Sequence, residues 1–247
     1  MRLIISPAKK MRKDTDSFPY HSLPRFLPQT REILAVLRAM SPAELQTLWK
    51  CSDRIAALNV ARLETMDLER RLTPAVMAYE GIQYQYLAPG VLTQEELDYL
   101  EGHLRILSGF YGLLRPFDGV AAYRLEMGAK LSVAGKKDLY AYWGDTLAQA
   151  LWEESDTVVN LASQEYSRCI AHPKPGTRLI TCVFGEVRQG KVVEKGTLCK
   201  MARGEMVRCL AQQGAEEPEV MQSLSPLGYR FQRDRSDETT YVFCKEA

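Results

Sequence analysis

Charged side chains inside an apolar, glycine-rich segment are the first place to look for chemistry. The stretch His103 to Leu131, HLRILSGFYGLLRPFDGVAAYRLEMGAKL, carries Arg105, Arg115, Arg124 and Glu126 among residues apolar enough to be core. Buried charges must be paired, exposed at the segment's ends, or kept for a ligand. Gly109, Gly112, Gly119 and Gly128 mark a backbone that turns sharply or is approached closely by another group. Arg124 and Glu126 alternate within Tyr123-Arg124-Leu125-Glu126-Met127, so an extended chain places both on one side. A plain ion pair there would contribute little net stability.

Three further groups have the right residue types. Lys9-Lys10-Met11-Arg12-Lys13 is the densest cationic run, and it follows the apolar strand Leu3-Ile4-Ile5 and the stop Ser6-Pro7. Asn160, Ser163 and Glu165 lie at and beyond the end of a second strand, Thr157 to Ser163. In α/β sheets, ligands sit beyond the carboxyl ends of strands; a helix cap is the competing role for Ser163. A helix predicted over Leu198 to Gln212 carries Lys200, Arg203 and Arg208 on one arc, with Gly204 between them. A glycine there would let a phosphate approach the helix backbone, although most basic helix faces are only solvated.

Standard catalytic templates fail. There is no P-loop, no GxGxxG opening a helix, no GxSxG elbow and no HExxH. His21, His103 and His172 stand in unrelated contexts, and the six cysteines at 51, 169, 182, 199, 209 and 244 form no CxxC pair. Neither a metal site nor a disulfide framework is expected, and the thiols read as reduced and mostly buried. No cofactor is expected. The 247 residues are 46% apolar and 26% charged, with a formal net charge of +1, so any nucleic-acid partner must be met by a local patch. The N-terminal apolar run is too short for a signal peptide, and no stretch approaches membrane-spanning length. A cytoplasmic protein without a membrane partner is expected.

The elements that must position these groups are readable in outline. Arg31 to Met40 has helical periodicity, and Ser41-Pro42-Ala43-Glu44 is a capping box opening a helix to about Lys50. Ser52 or Asp53 caps the next helix, through Arg62; such a pair is either core or a nucleic-acid-binding hairpin, with Asn59 and Arg62 as its handles. Pro74 to Tyr86 reads as a strand, a turn at Glu80-Gly81 and a tyrosine-rich extension. Thr93-Gln94-Glu95-Glu96 is a second capping box, and part of the central stretch reads as a buried strand. One helix is expected from Lys137 to near Trp152. Arg178 to Arg188 with Lys191 to Lys195, and Tyr229 to Arg233 with Thr240 to Cys244, predict antiparallel hairpins near the C-terminus. The expectation is an α/β (mixed α+β) fold, a single compact domain over residues 1–247 with a mixed sheet.

In order along the chain, Ile5-Ser6-Pro7-Ala8-Lys9, Leu58-Asn59-Val60-Ala61-Arg62 and His103 to Gly112 belong to a recognisable set. Leu114-Arg115-Pro116-Phe117-Asp118, Tyr123 to Gly128, Asp138-Leu139-Tyr140 with Trp143, Asn160 to Ser163 with Glu165-Tyr166, and Lys200 to Gly204 complete it. With them the sequence resembles the YaaA family of bacterial peroxide-stress proteins over nearly its whole length. Two positions depart: Ile82-Gln83-Tyr84 stands where the family has Asp-Val-Tyr, removing an acidic ligand, and Ala122 replaces a proline. The resemblance implies a cytoplasmic protein that protects against hydrogen peroxide, limits loose iron and binds DNA. It also implies a helix-hairpin-helix-like element and a positively charged cleft.

The groups available to line such a cleft are Lys9, Lys10, Arg12, Arg62, Arg105, Arg115, Arg124, Lys200, Arg203 and Arg208. The leading expectation is a monomeric binder of duplex or distorted DNA through its phosphates, rather than an enzyme. The alternative is an enzyme acting on damaged nucleic acid or a nucleobase. Its pocket would combine Ser6, Asn160, Arg124 and Glu126 with the catalytic candidates Lys9, Ser163 and Glu165, and Lys9 would form a Schiff base. Direct iron binding has no cluster of His, Cys or carboxylates behind it.

Overall fold

A computed structural model describes residues 1–170 and 173–245, so His172 lies outside the described residues. Eight strands make one mixed sheet: β1 (Arg2–Ile5), β2 (Leu104–Ser108), β3 (Gly112–Leu114), β4 (Thr157–Leu161), β5 (Arg178–Arg188), β6 (Lys191–Val193), β7 (Arg230–Phe231) and β8 (Thr240–Lys245). Their order is β7-β8-β5-β4-β1-β2-β3, with β6 paired to β5. The five central strands from β8 to β2 run parallel, and β3, β6 and β7 are antiparallel to their neighbours. Leu3, Ile4 and Ile5 of β1 are fully buried, as are Val158 and Val159 of β4. Such continuous apolar runs are what a parallel sheet covered on both faces requires.

The helices α1 (Leu27–Ala39), α2 (Pro42–Trp49), α3 (Asp53–Glu64), α4 (Ala75–Ala78), α5 (Ile82–Leu87) and α6 (Gln94–His103) all fall between β1 and β2. Both predicted capping boxes form: Ser41 and Thr93 each accept from the backbone N–H of a glutamate three residues on, which bonds back to the cap. Then come α7 (Leu139–Trp143), α8 (Thr146–Glu154), α9 (Gln164–Ser167) and α10 (Gly196–Gln213). Both C-terminal hairpins are present. No helix among the described residues is long and apolar enough to cross a membrane.

Three expectations are corrected. Pro74 to Tyr86 is not a strand and extension but α4, a two-residue strand at Tyr79–Glu80, and α5. Its buried tyrosines are satisfied in the core: Tyr79 bonds the Tyr123 hydroxyl at 2.9 Å, and Tyr84 donates to the Ser6 carbonyl at 2.9 Å. The helix from Lys137 to Trp152 is two helices, because Gly144 (φ +48°) breaks it. Gly204 offers no approach to a phosphate, since the α5 backbone already fills that space. A Cβ at Gly204 would lie 2.0 Å from the Gln83 carbonyl oxygen.

The central stretch does run as the buried strand β2, and its glycines have definite uses. A Cβ at Gly109 would meet the backbone of Glu126 and Met127 at 3.0 Å, so the residue lets that extended segment cross the end of β2. Trp143 donates from Nε1 to the Gly109 carbonyl at 3.1 Å and fixes the crossing from the other side. At the other end of the sheet, buried Asp118 accepts from the Ser22 hydroxyl at 2.6 Å and from the Arg115 N–H at 2.8 Å. Burial raises its carboxyl to about 6, although both hydrogen bonds act to lower it.

Gly204→Ala is expected to lower stability by about 3 kcal/mol, the upper end for overpacking, because backbone rather than a flexible side chain must move. Denaturant titration checks this, and an unchanged midpoint would contradict the close packing of α10 on α5. The raised Asp118 carboxyl means that the native state holds a proton the unfolded chain releases. Its stabilising contribution is complete below the ordinary carboxylate value of 3.8 and is lost as pH rises through about 6. Asp118→Asn should therefore gain stability relative to the parent between pH 4 and 7, by up to about 3 kcal/mol; a gap independent of pH would contradict this.

Candidate functional site at the carboxyl ends of the parallel strands

Parallel strands end at a common edge, and here β1 and β4 deliver Ser6 and Ser163 side by side. The Ser163 N–H donates to Ser6 Oγ at 2.8 Å, and Ser6 Oγ donates to Ser163 Oγ at 3.2 Å. Above this pair lies a cavity of about 310 Å³. The loop after β1 supplies Lys9 and Lys10, the segment crossing β2 supplies Arg124 and Glu126, and α10 supplies Lys200 and Arg203. Glu80, Tyr84, Tyr166 and Glu165 also line it. Tyr84 and Tyr166 are buried, which pushes both phenols well above their ordinary value and keeps them neutral.

Charge is arranged in layers. Lys9 Nζ lies 2.7 Å from Glu126 Oε2, and Lys10 Nζ lies 2.9 Å from Glu80 Oε2. Both lysines are open to solvent, at 64% and 78% side-chain exposure. Lys200 is also exposed and has no ion-pair partner among the described residues. Exposed pairs of this kind are worth about 0–1 kcal/mol, so an incoming anion can displace the carboxylates at little cost.

The two arginines sit deeper. Arg124 has 11% side-chain exposure; it donates to the Lys9 and Trp49 carbonyls at 3.4 Å, and Nη2 stands 3.9 Å from Glu126. The Trp49 carbonyl belongs to the last turn of α2, where the helix dipole favours a cation. Arg203 Nη2 reaches Glu194 at 3.4 Å. The Nε atoms of both arginines are buried without a partner among the described residues.

Of the ten cations expected to share a cleft, Lys9, Lys10, Arg124, Lys200 and Arg203 converge here. Arg62 and Arg12 lie beside this region but are committed to structure. Arg62 donates to the Met11 carbonyl at 3.0 Å, and Arg12 to the Met77 carbonyl at 2.8 Å. Arg208 pairs with Glu205 one turn away on its own helix and does not line the cavity.

Arg105 and Arg115 are at the opposite end of the sheet. Arg105 lies early in β2, is 3% exposed, and clamps Glu154 with Nη2 at 2.6 Å and Nε at 2.7 Å. Arg115 follows the antiparallel β3 and shares a separate small pocket with Arg105 and Asp118. Asn160 is also not a pocket residue, because it is buried behind the strand end. Its Oδ1 accepts from the Ala162 N–H at 3.0 Å and its Nδ2 donates to Thr181 at 3.3 Å.

Glu165 accepts from the Gly128 N–H through Oε1 at 2.9 Å. The Ser163 side chain makes no capping bond to α9. Asn59, a handle of the α2–α3 pair, is spent on the Ile55 carbonyl of its own helix at 2.8 Å. Glu80 was not legible as a site residue: in sequence it marks only a turn, and pairing across space with Lys10 gives it a role.

Among the described residues, no group of three His, Cys, Asp or Glu is placed to hold a metal ion. The arrangement is a largely apolar-walled cavity with a few polar and charged groups, under a mouth of exposed lysines, suited to an anion-bearing ligand.

Residues 1–235 match the family described as peroxide stress protein YaaA. A UPF0246 protein of Lachnoclostridium phytofermentans is 48% identical over 246 residues, covering 99% of this chain and 96% of the relative. UPF0246 proteins of Agathobacter rectalis and Pediococcus pentosaceus are 49% and 47% identical, each covering at least 98% of both chains. The chain belongs to the YaaA family of peroxide stress proteins.

Proposed function

We propose that this protein serves the peroxide-stress response in the cytoplasm by binding DNA through its phosphates, across the lysine-lined mouth of the cavity. The observation that supports this most is the convergence of exposed Lys9, Lys10 and Lys200 around one opening in a chain of net charge +1. A local basic mouth on a neutral protein gives affinity without base reading. The α2–α3 pair serves in this reading as a helix-hairpin-helix-like second contact, with Lys50 and Arg54 exposed at its turn. Any effect on iron-driven damage is then indirect, through occupancy of DNA.

The lysine-nucleophile alternative loses support. Lys9 is exposed and paired with Glu126. It therefore lacks the apolar burial that activates a lysine for Schiff-base chemistry.

Three exposed lysines set the expected salt dependence. Each neutralised phosphate contributes about 0.9 to the slope of log K against log salt, so a slope of about −3 is expected on duplex DNA. Lys200→Ala should reduce its magnitude by about 0.9, whereas Lys9 and Lys10 must first give up their carboxylates. Fluorescence anisotropy at several salt concentrations measures both. Binding insensitive to salt, or a slope unchanged in Lys200→Ala, would overturn the reading. Arg105→Ala should instead destabilise the fold by about 1–3 kcal/mol, because a buried side chain is lost and Glu154 is left with Arg2 as its one guanidinium partner. Thermal melting of that variant measures this, and an unchanged melting point would contradict it.

A further inference from the structure

The cavity floor contains more than a phosphate-binding mouth requires. Phosphates need cations at a surface, yet this opening continues inward as a solvent-open cavity of about 310 Å³. That is the lower end of the range for small-molecule sites, about 300–1,000 Å³, and far too narrow for a duplex. Buried Tyr84 and Tyr166, with Leu125, supply apolar walls. Unspent hydrogen-bonding capacity lies among them.

Ser163 Oγ accepts from Ser6, and its own hydroxyl proton has no acceptor among the described residues. Glu165 spends Oε1 on Gly128, and its Oε2 has no partner among the described residues. Glu126 adds a second carboxylate, and the unpartnered Nε atoms of Arg124 and Arg203 belong to residues of the same lining. The two Nε atoms are buried, and buried polar groups left without partners in a native fold call for a reason; Ser163 and Glu165 are half-buried and free to meet a ligand.

We propose that the cavity receives a single nucleobase turned out of the DNA, and that its polar floor fits the guanine edge. The proposal rests on the phosphate-binding reading and adds to it. A protein that holds DNA by phosphates beside a base-sized pocket can take up a nucleotide whose stacking is already weakened. Guanine offers two donors, N1–H and the N2 amino group, next to one acceptor, O6. The Glu165 carboxylate, whose Oε2 is free, accepts the two donors, and the free Ser163 hydroxyl donates to the O6 position. Thymine presents one donor between two acceptors and cytosine one donor beside two acceptors, so both leave a carboxylate facing lone pairs.

The test compares three short duplexes by fluorescence anisotropy at one salt concentration: fully paired, with one bulged guanine, and with one bulged thymine. The bulged-guanine duplex is expected to bind about tenfold tighter than either of the others, in line with one bidentate base contact. Ser163→Ala, which removes no helix cap, and Glu165→Gln, which keeps an acceptor for Gly128, should each bring that ratio close to one. Equal affinity for all three duplexes would overturn the base pocket while leaving phosphate binding intact. Tighter binding of both bulges alike would overturn the guanine assignment. No binding to any duplex would remove the phosphate reading and this inference together.

Discussion

The backbone of α10 rests directly on the backbone of α5, and the site depends on that contact. Gly204 allows it, because any side chain there would have to occupy the position of the Gln83 carbonyl. With the two helices this close, Lys200 and Arg203 from α10 face Tyr84 and Glu80 from the α5 side of the cavity. The strand ends supply the floor from beneath, through the Ser6–Ser163 hydrogen bonds. A wider α10–α5 separation would leave two unrelated basic surfaces. The glycine therefore acts through packing, and the cationic mouth is its consequence.

The same logic separates the two ends of the sheet. Parallel strands send all their carboxyl ends one way, so Ser6, Ser163 and the segment crossing β2 at Gly109 share an edge. Arg105 and Arg115 belong to the other edge, where a buried guanidinium must be paired and Glu154 pairs it. One apolar stretch thus holds two kinds of charge. Arg105 keeps the sheet's far edge together, while Arg124 and Glu126 form the pocket's wall. Arg124 and Glu126 do approach one another, at 3.9 Å, but Glu126 is held more closely by Lys9 at 2.7 Å. The plain arginine–glutamate pair is therefore not the whole account of that segment.

Local signals carried most of the fold. Capping boxes at Ser41 and Thr93, apolar runs in β1 and β4, and turn residues in the hairpins are physics within a few residues, and each formed as read. Where long-range packing decided, the local reading failed. The tyrosines of Pro74 to Tyr86 favour strands, yet burial of Tyr79 and Tyr84 against Tyr123 and Ser6 holds that segment in short helices. Gly204 looked like an opening for a ligand because sequence cannot show which backbone fills the space. Asn160 looked like a strand-end ligand for a similar reason. The pairing of Lys10 with Glu80 joins residues seventy positions apart, and no spacing rule reaches that far.

The proposed contact puts DNA phosphates over the mouth formed by Lys9, Lys10 and Lys200. A crystal structure of the protein with a short duplex tests it most directly. Phosphate oxygens are expected within hydrogen-bonding distance of these three amines, with the Lys9–Glu126 and Lys10–Glu80 pairs opened. A duplex seated elsewhere on the surface, with both pairs intact and the mouth empty, would contradict it.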